Sequence, residues 1–227
     1  MKLLAIDAAT EACSVGLQIG DDILVRHEIA PRGHALRLLP MVDEVLAEAS
    51  VSLNSLDGIA FDCGPGSFTG VRIGTSVTQG LAFGADLPVI PISSLAIIAQ
   101  GVWLDSGEKQ VLSVIDARMA EVYWGHYVLE NDIMVLQGQE HVSKAEDITA
   151  DISTAWYGAG TGFGVYRDAI LSVITTPCSG VNADGLPHAK NLLSLARDGY
   201  EKQQYVRADQ ALPSYLRNEV ARKQSGL

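Results

Sequence analysis

Lys2-Leu3-Leu4-Ala5-Ile6-Asp7-Ala8 is an apolar run that ends in an aspartate and a small residue, and Val111-Leu112-Ser113-Val114-Ile115-Asp116-Ala117 writes the same pattern again. The shared Ile-Asp-Ala stands at a strand-to-turn junction both times, with its aspartates 109 residues apart. Behind the first come Ala12 to Ile19 and Ile23 to Ala30, joined at Gly20-Asp21-Asp22, a hairpin signal. Behind the second, the turn Arg118-Met119-Ala120 leads into strands at Glu121 to Leu129 and Ile133 to Leu136. Apolar-Asp-small is common at strand ends, so the tripeptide alone carries little. Its shared surroundings point to an internal duplication.

Working outward, His34 to Ala49 has helical periodicity, and Leu56 to Cys63 reads as a strand. Gly64-Pro65-Gly66-Ser67 then opens a helix to about Ala85, Val89 to Ile92 is a strand, and Ser93 or Ser94 caps a helix to about Gly101. Asp105 to Lys109 is polar and turn-rich, which suggests lobes at residues 1–104 and 105–227. The second lobe is smaller or degraded: a strand from Trp156 into a glycine-rich turn, helices over 166–174 and 187–203, and a basic tail or edge element over 216–223. The last residues are expected to pack back on the first lobe. Two βββα-type halves facing each other are the plan of the α/β actin-like, Hsp70-like and sugar-kinase-like (ASKHA) fold.

Composition narrows the function classes. Of 227 residues 48% are hydrophobic and 19% charged, which suits a packed core. The net charge of −11 disfavours direct binding to nucleic acid or an anionic membrane, since both need clustered Lys and Arg. Cys13, Cys63 and Cys178 form no C-x-x-C pair and read as reduced thiols. Met1 to Ile6 meets Asp7 too soon for a signal peptide, and Pro88 and Pro91 interrupt the uncharged Leu87 to Leu104. A cytoplasmic protein without a membrane span is expected.

Asp7, Thr10 and Asp116 are the candidates for cofactor contact, because phosphate-transferring members of this fold place an aspartate beside small and hydroxyl residues at these junctions. Asp116-Ala117-Arg118-Met119 has neither glycine nor hydroxyl, which argues against an active kinase or ATPase. The loop Gly64 to Gly70 lies where free amides bind anions but lacks Gly-Lys-Ser/Thr, and Gly158 to Gly162 poses the same question. His34 begins a helix but meets Leu38 four residues on, so no histidine pair chelates a metal. No Gly-x-Ser-x-Gly elbow is present. Catalytic and metal-binding residues are therefore assigned to none.

Two helices carry more apolar surface than one sheet face needs. Between His34 and Ala49 the charges Arg37, Glu44 and Glu48 share one narrow stripe, with leucines, Met41 and valines over the rest. The helix before Ala85 has one charge, Arg72, and pairs Gly70 with Gly74 and Gly80 with Gly84 at helix-packing spacing. Leu36, Leu39, Val42, Leu46, Gly70, Ile73, Gly74 and Val77 are the residues expected at a partner interface. Leu39→Asp or Gly74→Arg is expected to break pairing and leave the monomer folded.

Leu4 to Val15, Gly64-Pro65-Gly66-Ser67-Phe68-Thr69-Gly70-Val71-Arg72-Ile73-Gly74, Ile115 to Met119 and Tyr215-Leu216-Arg217-Asn218 together resemble the TsaB (YeaZ) family over nearly the whole chain. The resemblance implies a two-lobed actin-like protein serving threonylcarbamoyl-adenosine synthesis at position 37 of tRNAs that read codons beginning with A. It implies that transfer from threonylcarbamoyl-AMP belongs to a homologous partner, TsaD, which carries a His-x-x-x-His metal motif. A small ATPase, TsaE, is the other implied partner. This chain would be a non-catalytic scaffold and activator that pairs with TsaD through its first-lobe helices and with itself when alone. It would touch tRNA only indirectly and need no cofactor, with ATP or ADP confined to the partner interface. Family members commonly have Thr at the position of Ala8, and a Gly-Arg-like pair at the position of Asp62-Cys63. The competing expectations are a stand-alone ATPase, phosphotransferase or peptidase, and a homodimeric binding module with a small ligand between its lobes.

Overall fold

The computed structural model describes residues 1–31 and 33–217. Five strands, β1 (Lys2–Asp7), β2 (Ala12–Ile19), β3 (Asp22–Ile29), β4 (Gly58–Asp62) and β5 (Val89–Ile92), form one sheet in the order β3-β2-β1-β4-β5. The second sheet contains β6 (Gln110–Arg118), β7 (Glu121–Glu130), β8 (Ile133–Leu136), β10 (Trp156–Ala159) and β11 (Cys178–Asn182), in the order β11-β10-β6-β7-β8. Read from β8, that is the first sheet's order again. In each, three antiparallel strands precede two parallel ones. The duplication is therefore real, and the fold is the expected α/β actin-like one. The sequence reading missed β11 and the short β9 (His141–Ser143), which pairs with β7. Cys178-Ser179-Gly180-Val181-Asn182 is too short and polar to announce a strand.

Alternation along the strands divides the packing. Leu4 and Ile6 of β1 face α1 (His34–Glu48) and α2 (Phe68–Ala85), whereas Leu3 and Ala5 face α5 (Ala189–Glu201). In β6, Leu112 and Val114 face α4 (Gly162–Val173), and Val111 and Ile115 face α3 (Ser94–Ser106). The closing helices are thus exchanged: α3 follows the first sheet and packs on the second, and α5 does the reverse. α3 is buried nearly all round, as a helix between two layers must be, and runs five residues past the expected Gly101 to a left-handed cap at Gly107. Gln100 ties it to the second lobe, its Oε1 accepting from Met134 N (2.9 Å) and its Nε2 donating to Asp132 O (2.9 Å).

The pleat corrects one expectation. Asp7 shares its face with Leu3 and Ala5, toward α5, but Asp116 shares its face with Leu112 and Val114, toward α4. The two Ile-Asp-Ala tripeptides are therefore offset by one residue in the duplicated fold. A shift of one residue in a strand sends every side chain to the other face.

Candidate functional site

A cleft of about 710 Å³ lies between the lobes, lined by the β1–β2 turn, the loop before α2, the β6–β7 turn, Thr161 and residues 214–217. Thr10 and Asp116 both line it, and Asp7 does not. Asp116 Oδ1 accepts from Arg118 N (2.9 Å) and Oδ2 meets the Arg118 guanidinium at 3.0 Å, while Asp116 N donates to Thr161 Oγ1 (3.1 Å). Arg118, Met119 and Ala120 have φ of 61°, 56° and 61°. A tight hairpin turn uses such left-handed residues, and the Asp116 carboxylate bonded to Arg118 braces this exposed one from within.

Asp7 is sealed. Its carboxylate accepts from Ala9 N (3.1 Å) and Ser14 Oγ (3.1 Å), and Ser14 Oγ in turn accepts from Ala189 N at the start of α5 (3.0 Å). Beside it on β4 lies Asp62, also buried, whose Oδ1 accepts from Gly64 N (2.8 Å) and Ser94 Oγ (2.5 Å). Burial raises Asp7 above the usual carboxylate range, and burial followed by the Asp7 charge pushes Asp62 well up. Asp62 Oδ2 has no hydrogen-bond partner in this buried site. Sequence reading missed this pair. Its only signal was the Asp62-Cys63 departure ahead of the glycine loop.

Both glycine loops bind their own chain. Ser67 N donates to Ala9 O (2.7 Å), and a Cβ on Gly66 would stand 2.2 Å from that oxygen. Ser67 Oγ caps α2 by accepting from Gly70 N (3.3 Å). In the second loop, Gly160 N donates to Asn182 O (2.9 Å), and a Cβ there would come within 2.3 Å of Val114 O. Amides used in this way do not cradle phosphate. His34 is buried, with Nε2 3.2 Å from Ala12 O, so that nitrogen carries the hydrogen. Burial raises Cys13 to about 11 and pushes Cys63 up as well, so both are unreactive thiols. Among the described residues, no group of three or more His, Cys, Asp or Glu side chains could hold a metal ion. Among the described residues, no helix is long and apolar enough to cross a membrane.

The eight expected interface residues divide. Leu36 (80% exposed) and Leu39 (47%) project from α1, while Leu46, Ile73 and Val77 are half-buried. Val42 lies in the core, at 1%, and Gly70 and Gly74 turn inward. That inward turn corrects the helix-packing reading of Gly70 and Gly74. A Cβ on Gly70 would meet Ala8 O at 2.1 Å, so the spacing serves close approach to the β1–β2 turn. Gly80 and Gly84 have open space around them, beside Phe83 at 81% exposure, which sequence reading did not single out. The α1 charges point sideways: Arg37 pairs with Glu28, and Glu44 and Glu48 pair with Arg26, both partners on β3. Pro40, inside α1 and exposed, leaves the Leu36 carbonyl without its helical donor on the same outward side.

Duplicated sheets, exchanged helices and an interlobe cleft define a two-lobed actin-like protein, in which the aspartate that ends β1 is enclosed. The family model described as "TsaD: tRNA N6-adenosine threonylcarbamoyltransferase" matches residues 25–223. The "tRNA threonylcarbamoyladenosine biosynthesis protein TsaB" of Escherichia coli (strain K12) is 42% identical, with 98% of this chain and 97% of that protein covered. Its Haemophilus influenzae namesake is 40% identical over 98% and 96%. The solved structure "YeaZ from Pseudomonas aeruginosa" superposes with a TM-score of 0.90 at 47% identity, covering 95% of this chain and 99% of that one. The chain belongs to the TsaB (YeaZ) family of tRNA threonylcarbamoyladenosine biosynthesis proteins.

Proposed function

We propose that this protein is a non-catalytic scaffold and activator in tRNA threonylcarbamoyladenosine synthesis. It presents the outer face of α1 and α2 to a TsaD homologue, and to a second copy of itself when that partner is absent. Transfer from threonylcarbamoyl-AMP to N6 of adenosine 37 then takes place on the partner, with TsaE as the ATPase of the assembly and tRNA reached only indirectly. The cytoplasm is the compartment that fits this work, and any ATP or ADP would sit at the partner interface. The observation that carries the reading is the exposed apolar set Leu36, Leu39 and Phe83 on neighbouring helices whose inner faces are already filled by the core. The burial of Asp7 supports the non-catalytic half.

The test is capture of a TsaD homologue by the purified protein, with tRNA modification reconstituted as each subunit is omitted. Leu39→Asp and Phe83→Asp are expected to weaken association by about tenfold or more, since buried apolar anchors dominate such interfaces. Their circular dichroism should match the parent. Gly74→Arg is unsuitable as a surface probe, because Gly74 is buried against Ala8. Undiminished capture by both variants, or ATP turnover by the isolated protein that disappears on Asp116→Ala, overturns the proposal.

A further inference from the structure

Residues 204–211 finish the first lobe firmly. Val206 and Val89 exchange backbone hydrogen bonds, Ala211 is fully buried, and Gln79 Nε2 donates to Ala211 O (2.8 Å). Residues 212–217 form neither helix nor strand, yet they keep to one path. That path runs back along α2, from Gln79 toward Arg72 and Phe68, and Ser214 N donates to Cys63 O (2.7 Å). Arg72 Nε donates to Tyr215 Oη (2.9 Å), and the same guanidinium lies 3.6 Å from the centre of the Phe68 ring. Thus the single charge of α2 is used to seat Tyr215.

Two residues later the chain touches the other lobe. Arg217 Nη2 donates to Ala117 O (3.3 Å) and to Glu121 Oε2 (2.5 Å), and Nη1 lies 3.6 Å from Met119 Sδ. These contacts flank the three left-handed residues of the β6–β7 turn. Ser214 to Arg217 form part of the cleft wall, and the five residues 213–217 can span about 17 Å when extended. Leu212 and Tyr215 remain substantially exposed, so few buried contacts hold the crossing.

We infer that Leu212–Arg217 is a releasable strap, anchored on α2 through Arg72 and Tyr215, that closes the interlobe cleft and fixes the β6–β7 turn through Arg217. Its release would free the turn and loosen one lobe against the other without unfolding either sheet.

Hydrogen exchange on the full-length protein tests this. Arg217→Ala and Tyr215→Ala are each expected to speed exchange of amides 116–121 by about tenfold while β1 and β4 keep their protection. Arg217→Lys, which keeps the charge but not the two-acceptor fork, should fall between. A chain ended after Leu212 should match the alanine variants and show a larger radius of gyration in solution scattering. If that chain does not fold, the point variants decide. Exchange of 116–121 within twofold of the parent in both alanine variants overturns the strap, as does acceleration spread evenly over both sheets.

Discussion

The ends of β1 and β6 carry the same three residues, Ile-Asp-Ala, in sheets of the same strand order, yet one aspartate is enclosed and the other lines the cleft. Two causes are visible. The one-residue offset in pleat turns Asp7 toward α5 and Asp116 toward α4. The turn after β1 is then covered by Gly66 and Gly70, whose missing side chains let loop and helix settle on Ala8 and Ala9. The turn after β6 has no such cover and stands out in a left-handed arc. Of two junctions with the same three residues, one is a piece of core and the other lines a cleft.

The largest effect should come from breaking that cover. Gly70→Ala would place a methyl against a backbone oxygen that cannot move aside, at an expected cost of about 3 kcal/mol or more. For a chain of this length, that is a fall in Tm of roughly 6–12 °C. Gly80→Ala, on the same helix but facing open space, should instead gain about 0.5–1 kcal/mol of helix propensity. Thermal unfolding of the two variants separates a glycine required by contact from one that is not. Equal effects would show that α2 does not sit on the turn.

How far the sequence foretold this follows from the same contrast. Strands and helices with a clear period were legible: β1, β2, α1, α2 and β6 fall within a residue or two of their expected limits. The duplication was legible too, but its register was not, because a tripeptide match says nothing about which pleat it occupies. Burial of Asp7 was invisible, since it depends on Asp62 and Ser14 arriving from other strands and on α5 arriving from the far end of the chain. Leu36 and Leu39 were expected on an exposed face of α1, and they are exposed. Val42, Gly70 and Gly74, expected on the same outward face, are buried instead, because helical spacing alone does not tell inward from outward. Asn218 and residues 219–223 of the expected tail lie outside the described residues.

The second contrast concerns the aspartates. Asp7→Ala removes the acceptor for Ala9 N and Ser14 Oγ in a fully buried site, at an expected cost of about 2–3 kcal/mol. Asp116→Ala removes a pair whose Arg118 side chain is 87% exposed, and should cost about 1 kcal/mol or less. Chemical denaturation checks the order. An Asp116 variant that loses as much as the Asp7 variant would mean that the second junction is also part of a core.

The smallest effect is a change in pH dependence, and it isolates what enclosure did to the first junction. Burial and the Asp7 charge raise Asp62 well above the ordinary carboxylate range. A group whose pKa is higher folded than unfolded supports the fold fully below the unfolded value, and that support disappears as pH rises through the folded value. Stability of the parent should therefore decline from about pH 4 upward at this site. Asp62→Asn keeps an oxygen for Gly64 N and Ser94 Oγ and removes the titrating carboxyl. The variant should match the parent near pH 4 and exceed it by about 1 kcal/mol at pH 8, where the parent must hold a proton against the solution or bury a second charge. Denaturation midpoints at the two pH values give the answer. A parent that gains on the variant as pH rises would mean that Asp62 is stabilised as a carboxylate, and the enclosed junction would then be a charged site like its open counterpart.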